Sequence, residues 1–414
     1  MANAKPMDVG PLSGVKVLEC SIWGFGPIGG LMLGDLGADV VKIESPRRPD
    51  PARHVTNVVG IDVMMEDGRS SCWQSFNRNK RSLALDLKTE QGRAVLKELV
   101  KDADIFLENY RPGVFDKLGL GYDELSKINP KLIYASTAGY GFEGPEANKP
   151  ALDVVGQARS GFMWTSGAPG DPPMWNSQGV ADVMGATCVA YGILAALAAR
   201  ELQGVGQKVE ISHIMANMWL SFWGISIGMM KGYEDWPRFD RTNAGNPLWN
   251  LYECSDGEWL ILGIAEADPH WPGFCEQVEL TELVDDPRFN SMDARRDNAA
   301  ELIRILDARF KEKTRADWED RLARNPDLIY SRVQRLGDLR HDPAVKANDY
   351  LTNHSHRHYG ETKTLTHPVT LRKTPASIRR DAPDLGEHTG EVLEEWLGYS
   401  ASQVEALANG GVTE

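Results

Sequence analysis

The chain has 414 residues, of which 42% are hydrophobic and 25% charged, proportions that are ordinary for a globular protein of two or three domains. Its net charge of −14 argues against a nucleic-acid-binding protein, which usually carries a basic surface. The sequence shows no membrane-length apolar run, no apolar segment like a signal peptide's, and no CxxC pair among its five cysteines. We therefore expect a cytoplasmic protein with no nucleic-acid or membrane partner.

The first half of the chain alternates predicted strands and helices. GVKVLEC, GLMLGDLG and ADVVKIES form a strand–helix–strand unit, and further strands are predicted at RSLALDL, DIFLENY and LIYASTAGYG. Between them, Thr89 begins a helix in which Val95, Leu96, Leu99 and Val100 recur at helical spacing. This alternation predicts an α/β fold with a parallel sheet, which binds ligands at the carboxyl ends of its strands.

The composition changes near residue 230. A polar connector, KGYEDWPRFDRTNAGNP, precedes a predicted β-hairpin with a DG turn, WNLYECSDGEWLILGIA. Two amphipathic helices follow, DNAAELIRILDARFKEK and TRADWEDRLARN, so we predict a smaller α+β domain in this region. From about residue 345 we expect strand-like pieces such as LTHPVTLRKT and a last helix, TGEVLEEWLGY.

A glycine-rich loop follows the first strand. Gly24, Gly26 and Gly29 fit the G-x-G-x-x-G pattern, and Glu44 stands near the place of the acid that binds a dinucleotide's ribose. Pro27, however, removes one backbone N–H from the loop. Three interpretations stay open: a nicotinamide site of an oxidoreductase, a site for another phosphate-bearing ligand, and a loop that only leads into a helix.

Two basic clusters are further candidates. Arg78, Lys80 and Arg81 in NRNKRS could hold phosphate groups by charge-assisted hydrogen bonds, or they could form a solvated loop. The alternating histidines of HSHRH, between residues 354 and 358, would share one face of a strand. Three imidazoles there could bind zinc, but a solvated histidine face is the simpler interpretation.

A single carboxylate, Asp182, stands before an uncharged stretch that runs from Val183 to Ala199. Its residue type favours a helix N-cap, where free backbone N–H groups would hold the carboxylate in its ionised form. An ionised carboxylate is also what a covalent nucleophile requires. Spacing alone therefore places the structural role first and leaves the nucleophile open.

Six segments, taken in order, carry a resemblance to a known family. They are PLSGVKVLEC…GP…LGDLGADVVKIE, NRNKRSLALDLKT, ADIFLENYRPGV, LIYASTAGYG…GP, GILAALAARELQGVGQKVEIS and LGEHTGEVLEE. Together they resemble the class III CoA-transferases, which include formyl-CoA transferase, carnitine CoA-transferase and cinnamoyl-CoA:phenyllactate CoA-transferase. The similarity runs from about residue 11 to 230 and resumes after about residue 335.

The resemblance implies an enzyme that moves CoA from an acyl-CoA donor, with succinyl-CoA suggested by the family alone, to a carboxylic acid. In the family, the aspartate ahead of the GILAAL helix is the covalent nucleophile, and Asp182 occupies that position. Its carboxylate would attack the thioester, release CoA thiolate and then become an aspartyl-CoA thioester. CoA would be a substrate, so the resemblance implies no permanently bound cofactor and no metal.

The resemblance also implies a CoA groove and an assembly. The family's CoA contacts map onto Gly24, Phe25, Leu85, Lys88, Asn109, Tyr110, Arg111, Lys117 and Asp153. Tyr110 would lie near the adenine, and the three cations near the phosphates. A Rossmann-like large domain would be built from both chain ends, residues 1–228 and 345–414, with a small domain, 229–344, inserted. Family members form interlocked homodimers, and some work with a paralogous subunit.

Two departures from the family bear on the substrate. This chain has Gly24 where formyl-CoA transferase has a catalytic glutamine, and it lacks that enzyme's run of glycines in the small domain, which argues against oxalate and formyl-CoA. The family's α-methylacyl-CoA racemases place a histidine beside an aspartate where this chain has Leu152 and Asp153. A racemase remains an alternative, although half of its proton-transfer machinery is missing. Trp23 and two other tryptophans, at 164 and 175, could contact a bulky apolar acceptor acid, or they could simply pack in the protein core.

Overall fold

A computed structural model, which describes residues 10–413, shows a mixed α/β chain with a large parallel sheet of six strands. The strands of the described residues are β1 (Lys16–Cys20), β2 (Asp39–Glu44), β3 (Asn57–Val58), β4 (Ile61–Asp62), β5 (Lys80–Ala84), β6 (Ile105–Glu108), β7 (Ile133–Ala138), β8 (Lys208–Ser212), β9 (Leu251–Glu253), β10 (Trp259–Leu262), β11 (Tyr330–Arg332), β12 (Leu351–His356) and β13 (Gly360–Leu365). Their helices are α1 (Phe25–Asp35), α2 (Ser71–Phe76), α3 (Glu90–Val100), α4 (Val114–Lys117), α5 (Tyr122–Ile128), α6 (Asp153–Arg159), α7 (Phe162–Thr165), α8 (Val180–Gln203), α9 (His213–Leu220), α10 (Phe222–Lys231), α11 (Ala267–Gln277), α12 (Met292–Asp297), α13 (Ala299–Phe310), α14 (Arg315–Leu322), α15 (Pro343–Ala347), α16 (Thr389–Leu397) and α17 (Ala401–Asn409).

The large sheet has the strand order β5-β2-β1-β6-β7-β8, and each neighbouring pair is parallel. Strand β1 lies in the middle, where Val17 pairs with Val40 on one side and Ile105 on the other. The parallel sheet predicted from the alternating elements is therefore confirmed. Because all six strands point the same way, their carboxyl ends meet at one edge, and the loops that follow them lie together.

Apolar layers cover both faces of this sheet, as a parallel sheet requires. On one face, Leu18 and Phe106 belong to a buried cluster that includes side chains of α3 and α16. On the other face, Val17 and Ile105 pack with side chains of α1 and α8. Thr89 caps α3 by accepting a hydrogen bond from Gly92 N at 2.9 Å, so the predicted start of this helix is confirmed.

Helix α8 is long and apolar enough, by length and composition alone, to cross a membrane. In this structure it packs against α1, where a side chain on Gly29 would meet Val189 at 2.7 Å. Near its end, Arg200 binds Asp104 at 2.8 Å. These contacts make α8 a core helix of the sheet's layer rather than an isolated apolar segment.

The described residues divide into two compact units. The larger one contains the residues up to Trp164, Trp175–Trp236 and those from Asp349 onward, and the smaller one contains Thr165–Met174 and Pro237–Asn348. The smaller unit has a three-stranded antiparallel sheet, β11-β10-β9, and a core that includes Phe310. The hairpin predicted around the DG turn is confirmed as β9 and β10.

The later part of the chain departs in one respect from the sequence prediction. The stretch LTHPVTLRKT is not a strand beyond its first residue, because β13 ends at Leu365 and Pro368 follows without a backbone donor. The last predicted helix is confirmed as α16. The segment around it returns to the sheet edge at β5: His388 N donates to Ser82 O at 3.0 Å, and Asp86 N donates to Val412 O at 2.8 Å.

Candidate active site

A cavity of about 240 Å³ opens at the carboxyl ends of β1, β6, β7 and β8, where the fold predicts a ligand site. It is lined by Ile22, Trp23, Phe25, Asn109, Tyr110, Arg111, Pro112, Thr137, Ala138, Gly139, Ala147, Lys149, Pro150, Ala151, Leu152, Asp182 and His213. Each parallel strand that ends here contributes the residues that follow it. The cavity thus joins segments that are far apart in the sequence.

Asp182 lies in the first turn of α8, two residues after the helix begins at Val180. The N-cap is Gly179, so the interpretation of Asp182 as a helix N-cap is wrong. The free N–H groups of this helix are satisfied by Asp153 instead: its Oδ1 accepts from Ala181 N at 2.6 Å and from Asp182 N at 3.1 Å. Asp153 therefore positions the Asp182 backbone, and it is not among the residues that line the cavity.

The two carboxylate oxygens of Asp182 have different surroundings. Oδ1 is 2.8 Å from Nε2 of His213, while Oδ2 faces Gly24, where a side-chain Cβ would come within 2.5 Å of it. The Asp182 side chain is 23% exposed, and that of His213 only 7%. One oxygen is therefore held by a buried imidazole, and the other faces the backbone of Gly24.

His213 is a residue of the site that the sequence analysis did not single out. It opens α9 directly after β8, and the Ser212 side chain caps this helix by accepting from Met215 N at 3.2 Å. Its ring lies 4.1 Å from the Phe25 ring, centroid to centroid. The available signal was its place in the chain: His213 directly follows KVEIS, which is β8 of the parallel sheet, and residues at that end of such strands lie on the edge where ligands bind.

The loop after β1 brings Gly24 against Asp182. The Asn109 side chain accepts from Ile22 N at 2.8 Å and donates to Ile22 O at 2.6 Å. Trp23 has a left-handed backbone with φ of 64°, and its N–H donates to Asp50 Oδ1 at 3.0 Å. Predicted residue Asn109 thus fixes the loop and also lines the cavity.

A buried ionic network lies under this loop. Lys42 Nζ is 3.1 Å from both Glu19 and Asp50 and donates to Ser21 O at 2.7 Å, and Lys80 is 2.8 Å from Glu19. All four charged side chains have no exposed surface. Burial raises the pKa of Glu19, but Lys80 and Lys42 outweigh it and bring that pKa below its ordinary value. Burial lowers the pKa of Lys80 to about 8.

The basic cluster NRNKRS does not form a phosphate site. Arg78 binds Asp35 at 2.7 Å and Lys80 binds Glu19, while Arg81 binds Asp39 at 2.5 Å. Each cation already has a carboxylate partner in the fold. These ion pairs argue against the phosphate-site interpretation, and the burial of Lys80 and Arg81 argues against a solvated loop.

The dinucleotide pattern also has a structural explanation. Glu44 binds Arg53 at 2.7 Å and accepts from Asp50 N at 3.1 Å, so it is not free to bind a ribose. Gly26 and Gly29 are needed for close packing, against Ser21 and Val189 respectively. These contacts favour the interpretation of a loop that leads into a helix.

The histidines of HSHRH have partners within the protein. His354 Nε2 is 2.5 Å from Asp381 Oδ1, and His356 Nε2 is 3.2 Å from Gln74 Oε1. The simple picture of a solvated histidine face is therefore wrong for these two. Within residues 10–413, no group of three or more His, Cys, Asp or Glu side chains is arranged to hold a metal ion.

The other predicted site residues fall into two groups. Phe25, Tyr110 and Arg111 line the cavity. Leu85, Lys88 and Lys117 do not: Leu85 is fully buried, and the two lysines are exposed on segments that follow β5 and β6. Sequence reasoning also missed Lys149, which lines the cavity and binds Glu146 at 2.6 Å. Trp23 lines the cavity, whereas the tryptophans at 164 and 175 do not.

Glu108 ends β6 beside the cavity residues. Its Oε2 accepts from Tyr110 N at 2.8 Å, and Ser136 Oγ donates to its Oε1. Burial raises the pKa of Glu108 to about 7, and the two hydrogen bonds oppose that rise only in part. This carboxyl group anchors the backbone from which Tyr110 projects.

The arrangement suits nucleophilic chemistry at a carboxylate. Asp182 lines the cavity, its Oδ1 lies 2.8 Å from His213 Nε2, and its backbone is held by Asp153. A carboxylate nucleophile works by forming a covalent intermediate that divides one difficult step into two easier ones. The cations Arg111 and Lys149 in the same cavity suit an anionic ligand.

Comparisons with known proteins agree on one family. Residues 12–389 match the family model described as CoA-transferase family III. The chain is 31% identical over 408 residues to the succinyl-CoA–D-citramalate CoA-transferase of Chloroflexus aurantiacus, covering 96% of each chain. It is 30% identical over 406 residues to the succinyl-CoA–L-malate CoA-transferase beta subunit of the same organism, again covering 96% of each. Among solved structures, a CAIB/BAIF family protein from Brucella suis superposes with a TM-score of 0.82 at 29% identity, covering 94% of this chain and 100% of that one.

Proposed function

Because this chain belongs to CoA-transferase family III and is therefore a CoA-transferase, we propose that it moves CoA between two carboxylic acids through a thioester formed on Asp182. The observation that carries the proposal is the position of Asp182. Asp182 lines a cavity at the carboxyl edge of the sheet, and its Oδ1 and its backbone are held by His213 and Asp153.

The proposed reaction proceeds through four balanced steps. Asp182 Oδ2 attacks the thioester carbon of the donor. A C–O bond forms and the C–S bond breaks, which releases CoA thiolate and produces a mixed anhydride between Asp182 and the donor acid. The thiolate attacks Asp182 Cγ; a C–S bond forms, the Cγ–Oδ2 bond breaks, and the first acid leaves as a carboxylate that carries this oxygen. The acceptor carboxylate then attacks Cγ and expels the thiolate. Finally, the thiolate attacks the acceptor's carbonyl carbon and releases Asp182.

The CoA moiety is proposed to lie along the carboxyl edge of the sheet toward Asp182. Phe25, Asn109, Tyr110 and Arg111 line the cavity and would contact it there. Lys88 and Lys117 are exposed, as phosphate-binding cations must be. CoA acts as a substrate in this scheme, and the scheme requires no resident cofactor or metal.

The donor is proposed to be succinyl-CoA. Support comes from the names of the two Chloroflexus relatives, both of which specify succinyl-CoA. The acceptor is a carboxylic acid, and the cations Arg111 and Lys149 would attract it to the cavity. The racemase alternative is less well supported, because Leu152 lines the cavity where the racemases place their histidine.

The assembly is proposed to be a homodimer. Side chains on α9 and α10 present a large exposed apolar surface, formed by Trp219, Leu220, Phe222, Trp223, Met229 and Met230. A second copy of the chain would cover it. The beta-subunit name of one relative makes a paralogous partner the alternative. We also propose that residues 1–228 and 345–414 build one domain around an inserted domain, 229–344, and that the enzyme is cytoplasmic.

The proposal is tested by intact-protein mass spectrometry after mixing the protein with a panel of acyl-CoAs. We expect a CoA-sized adduct on the wild type that hydroxylamine removes and that Asp182→Ala does not form. Asp123→Ala, which changes a carboxylate in α5 away from the cavity, is the matched control and should keep the adduct. A wild type that binds CoA but forms no adduct with any member of the panel would contradict the proposal.

A further inference from the structure

The hydrogen bond between Asp182 and His213 has a fixed direction. An ionised carboxylate has no proton, so it can only accept. His213 must therefore carry a proton on Nε2 and donate it to Asp182 Oδ1, at the observed 2.8 Å, whether the ring is neutral or charged. The site thus holds a permanent N–H donor aimed at one oxygen of the proposed nucleophile.

Neighbouring groups pack around His213. The Phe25 ring lies 4.1 Å from its ring at a tilt of 33°, and the Asn217 side chain donates to the backbone O of His213 at 3.0 Å. On the α6 side, a side chain on Gly156 would come within 2.8 Å of the His213 Cβ, so the contact there is already tight. A donor that cannot turn away needs no reorganisation when charge develops in front of it.

We propose that His213 is the catalytic donor that stabilises the oxyanion formed on Asp182 itself. The inference rests on the proposed function. Because His213 holds Oδ1, the proposed nucleophilic oxygen is Oδ2, and Oδ1 becomes the carbonyl oxygen of the anhydride and later of the aspartyl-CoA thioester. When thiolate or acceptor carboxylate attacks Cγ, a new bond forms at Cγ and the carbonyl electron pair moves onto Oδ1. The Nε2–H of His213 is already there to bind it.

The geometry favours this role over a proton relay. The other ring nitrogen, Nδ1, is buried and has no hydrogen-bond partner within residues 10–413. A relay in the manner of a Ser-His-Asp triad requires a partner on both nitrogens. In addition, none of the four steps transfers a proton. The role left for His213 is therefore to stabilise negative charge.

The test uses three variants of the full-length protein. His213→Leu removes the donor and keeps an apolar side chain against Phe25, and His213→Met serves the same purpose if the leucine variant does not fold. His213→Gln retains an amide N–H at about the same reach. His358→Leu makes the same chemical change at an exposed histidine that does not line the cavity, and it is the control.

The readout is the rate at which the aspartyl-CoA adduct forms and the rate at which hydroxylamine removes it, since both reactions pass through an oxyanion on Oδ1. We expect His213→Leu to slow both by about 10²–10³-fold, the usual effect of removing one oxyanion donor. His213→Gln and His358→Leu should stay within about tenfold of wild type. The dissociation constant for CoA should not change, because the proposed CoA contacts do not include His213.

The outcomes separate this inference from the function on which it rests. No adduct on the wild type contradicts the CoA-transfer mechanism itself. An adduct that forms and is cleaved at the wild-type rate in a folded His213→Leu protein overturns the role of His213 and leaves the mechanism standing. A leucine variant that binds CoA but accumulates no adduct supports the inference when the glutamine variant accumulates it. If the glutamine variant fails equally, the inference is wrong.

Discussion

Gly24 leaves space that the Asp182 carboxylate occupies. A Cβ at this position would lie 2.5 Å from Asp182 Oδ2, and the backbone conformation (φ −94°, ψ −51°) suits any residue. In this chain, the absence of a side chain at residue 24 leaves room for the Asp182 carboxylate in the position that the structure shows.

Substituting Gly24 should therefore affect activity far more than folding. In Gly24→Ala, we expect the carboxylate to be displaced and the rate of CoA transfer to fall by about 100-fold. The free energy of unfolding should change by less than about 1 kcal/mol, because only the end of a side chain has to move. A transfer assay and a urea titration measure the two effects.

The control is Gly390→Ala, since a Cβ at Gly390 would have no neighbour within 4 Å. It should leave both activity and stability close to wild type. Equal activity in the two variants would show that the Gly24 contact does not matter.

Asp153, rather than Asp182, accepts hydrogen bonds from free backbone N–H groups at the start of α8. Asp153→Ala removes the acceptor for two backbone N–H groups of α8, so we expect a loss of about 1 kcal/mol in the free energy of unfolding. Asp182→Asn should change it by no more than about 0.5 kcal/mol, because Asp182 caps no helix. Urea denaturation of the two variants tests whether Asp153→Ala loses more unfolding free energy than Asp182→Asn.

Asp153→Asn is the matched control, because asparagine also caps helices well and should restore most of the loss. A larger loss in Asp182→Asn than in Asp153→Ala would contradict this assignment.

At the scale of elements, the end of strand β6 places the carboxyl group of Glu108 in a buried position that changes its pKa. Glu108 ends β6, and burial raises its pKa from 4.5 to about 7. Between these values the folded protein holds a proton that the unfolded chain has lost, so stability falls as the pH rises through this range. Glu108→Gln removes that dependence. Relative to wild type, its free energy of unfolding should increase from pH 5 to pH 8 by up to roughly 3 kcal/mol.

Urea titrations of both proteins at the two pH values test this prediction. The amide that Glu108→Gln introduces can still accept from Tyr110 N and donate to Ser136, so the local structure should be kept. A stability difference that is the same at both pH values would mean that Glu108 titrates normally in the folded protein.

Local patterns predicted the elements, but not which distant groups meet. Helix α3 could be predicted because its cap and its apolar spacing are local features of the sequence. The β9–β10 hairpin could be predicted because its turn residues are also local. The partners of the NRNKRS cations could not be predicted, since Arg81 binds Glu391, which lies 310 residues away in the sequence. His213 was missed for the same reason: it meets Asp182, 31 residues earlier, through the packing of α9 on α8 and the pairing of β8 with β7.

At the scale of the whole molecule, the exposed apolar side chains of α9 and α10 require an explanation. Trp223 is 78% exposed in the single chain, and such a surface is unusual for a monomer. We expect native mass spectrometry and light scattering to give twice the chain mass of 45.8 kDa at micromolar concentration. Trp223→Asp should shift the equilibrium toward the single chain, because it places a charge in the contact.

A wild type that remains at the mass of one chain would contradict the homodimer. A complex that forms only after a second, different chain is added would instead support a paralogous subunit.

The return of the chain to β5 has a consequence for synthesis. Strand β5 receives the backbone contact from His388 and the ion pair with Glu391, more than 300 residues after its own synthesis. Until then, an edge of the parallel sheet stays open while the ribosome continues, and open edges invite pairing with other chains. Contacts of such long range also make folding slow. Nascent chains that stop short of this segment should therefore aggregate and depend on chaperones, whereas the smaller unit, most of which is continuous in sequence, can fold before translation ends.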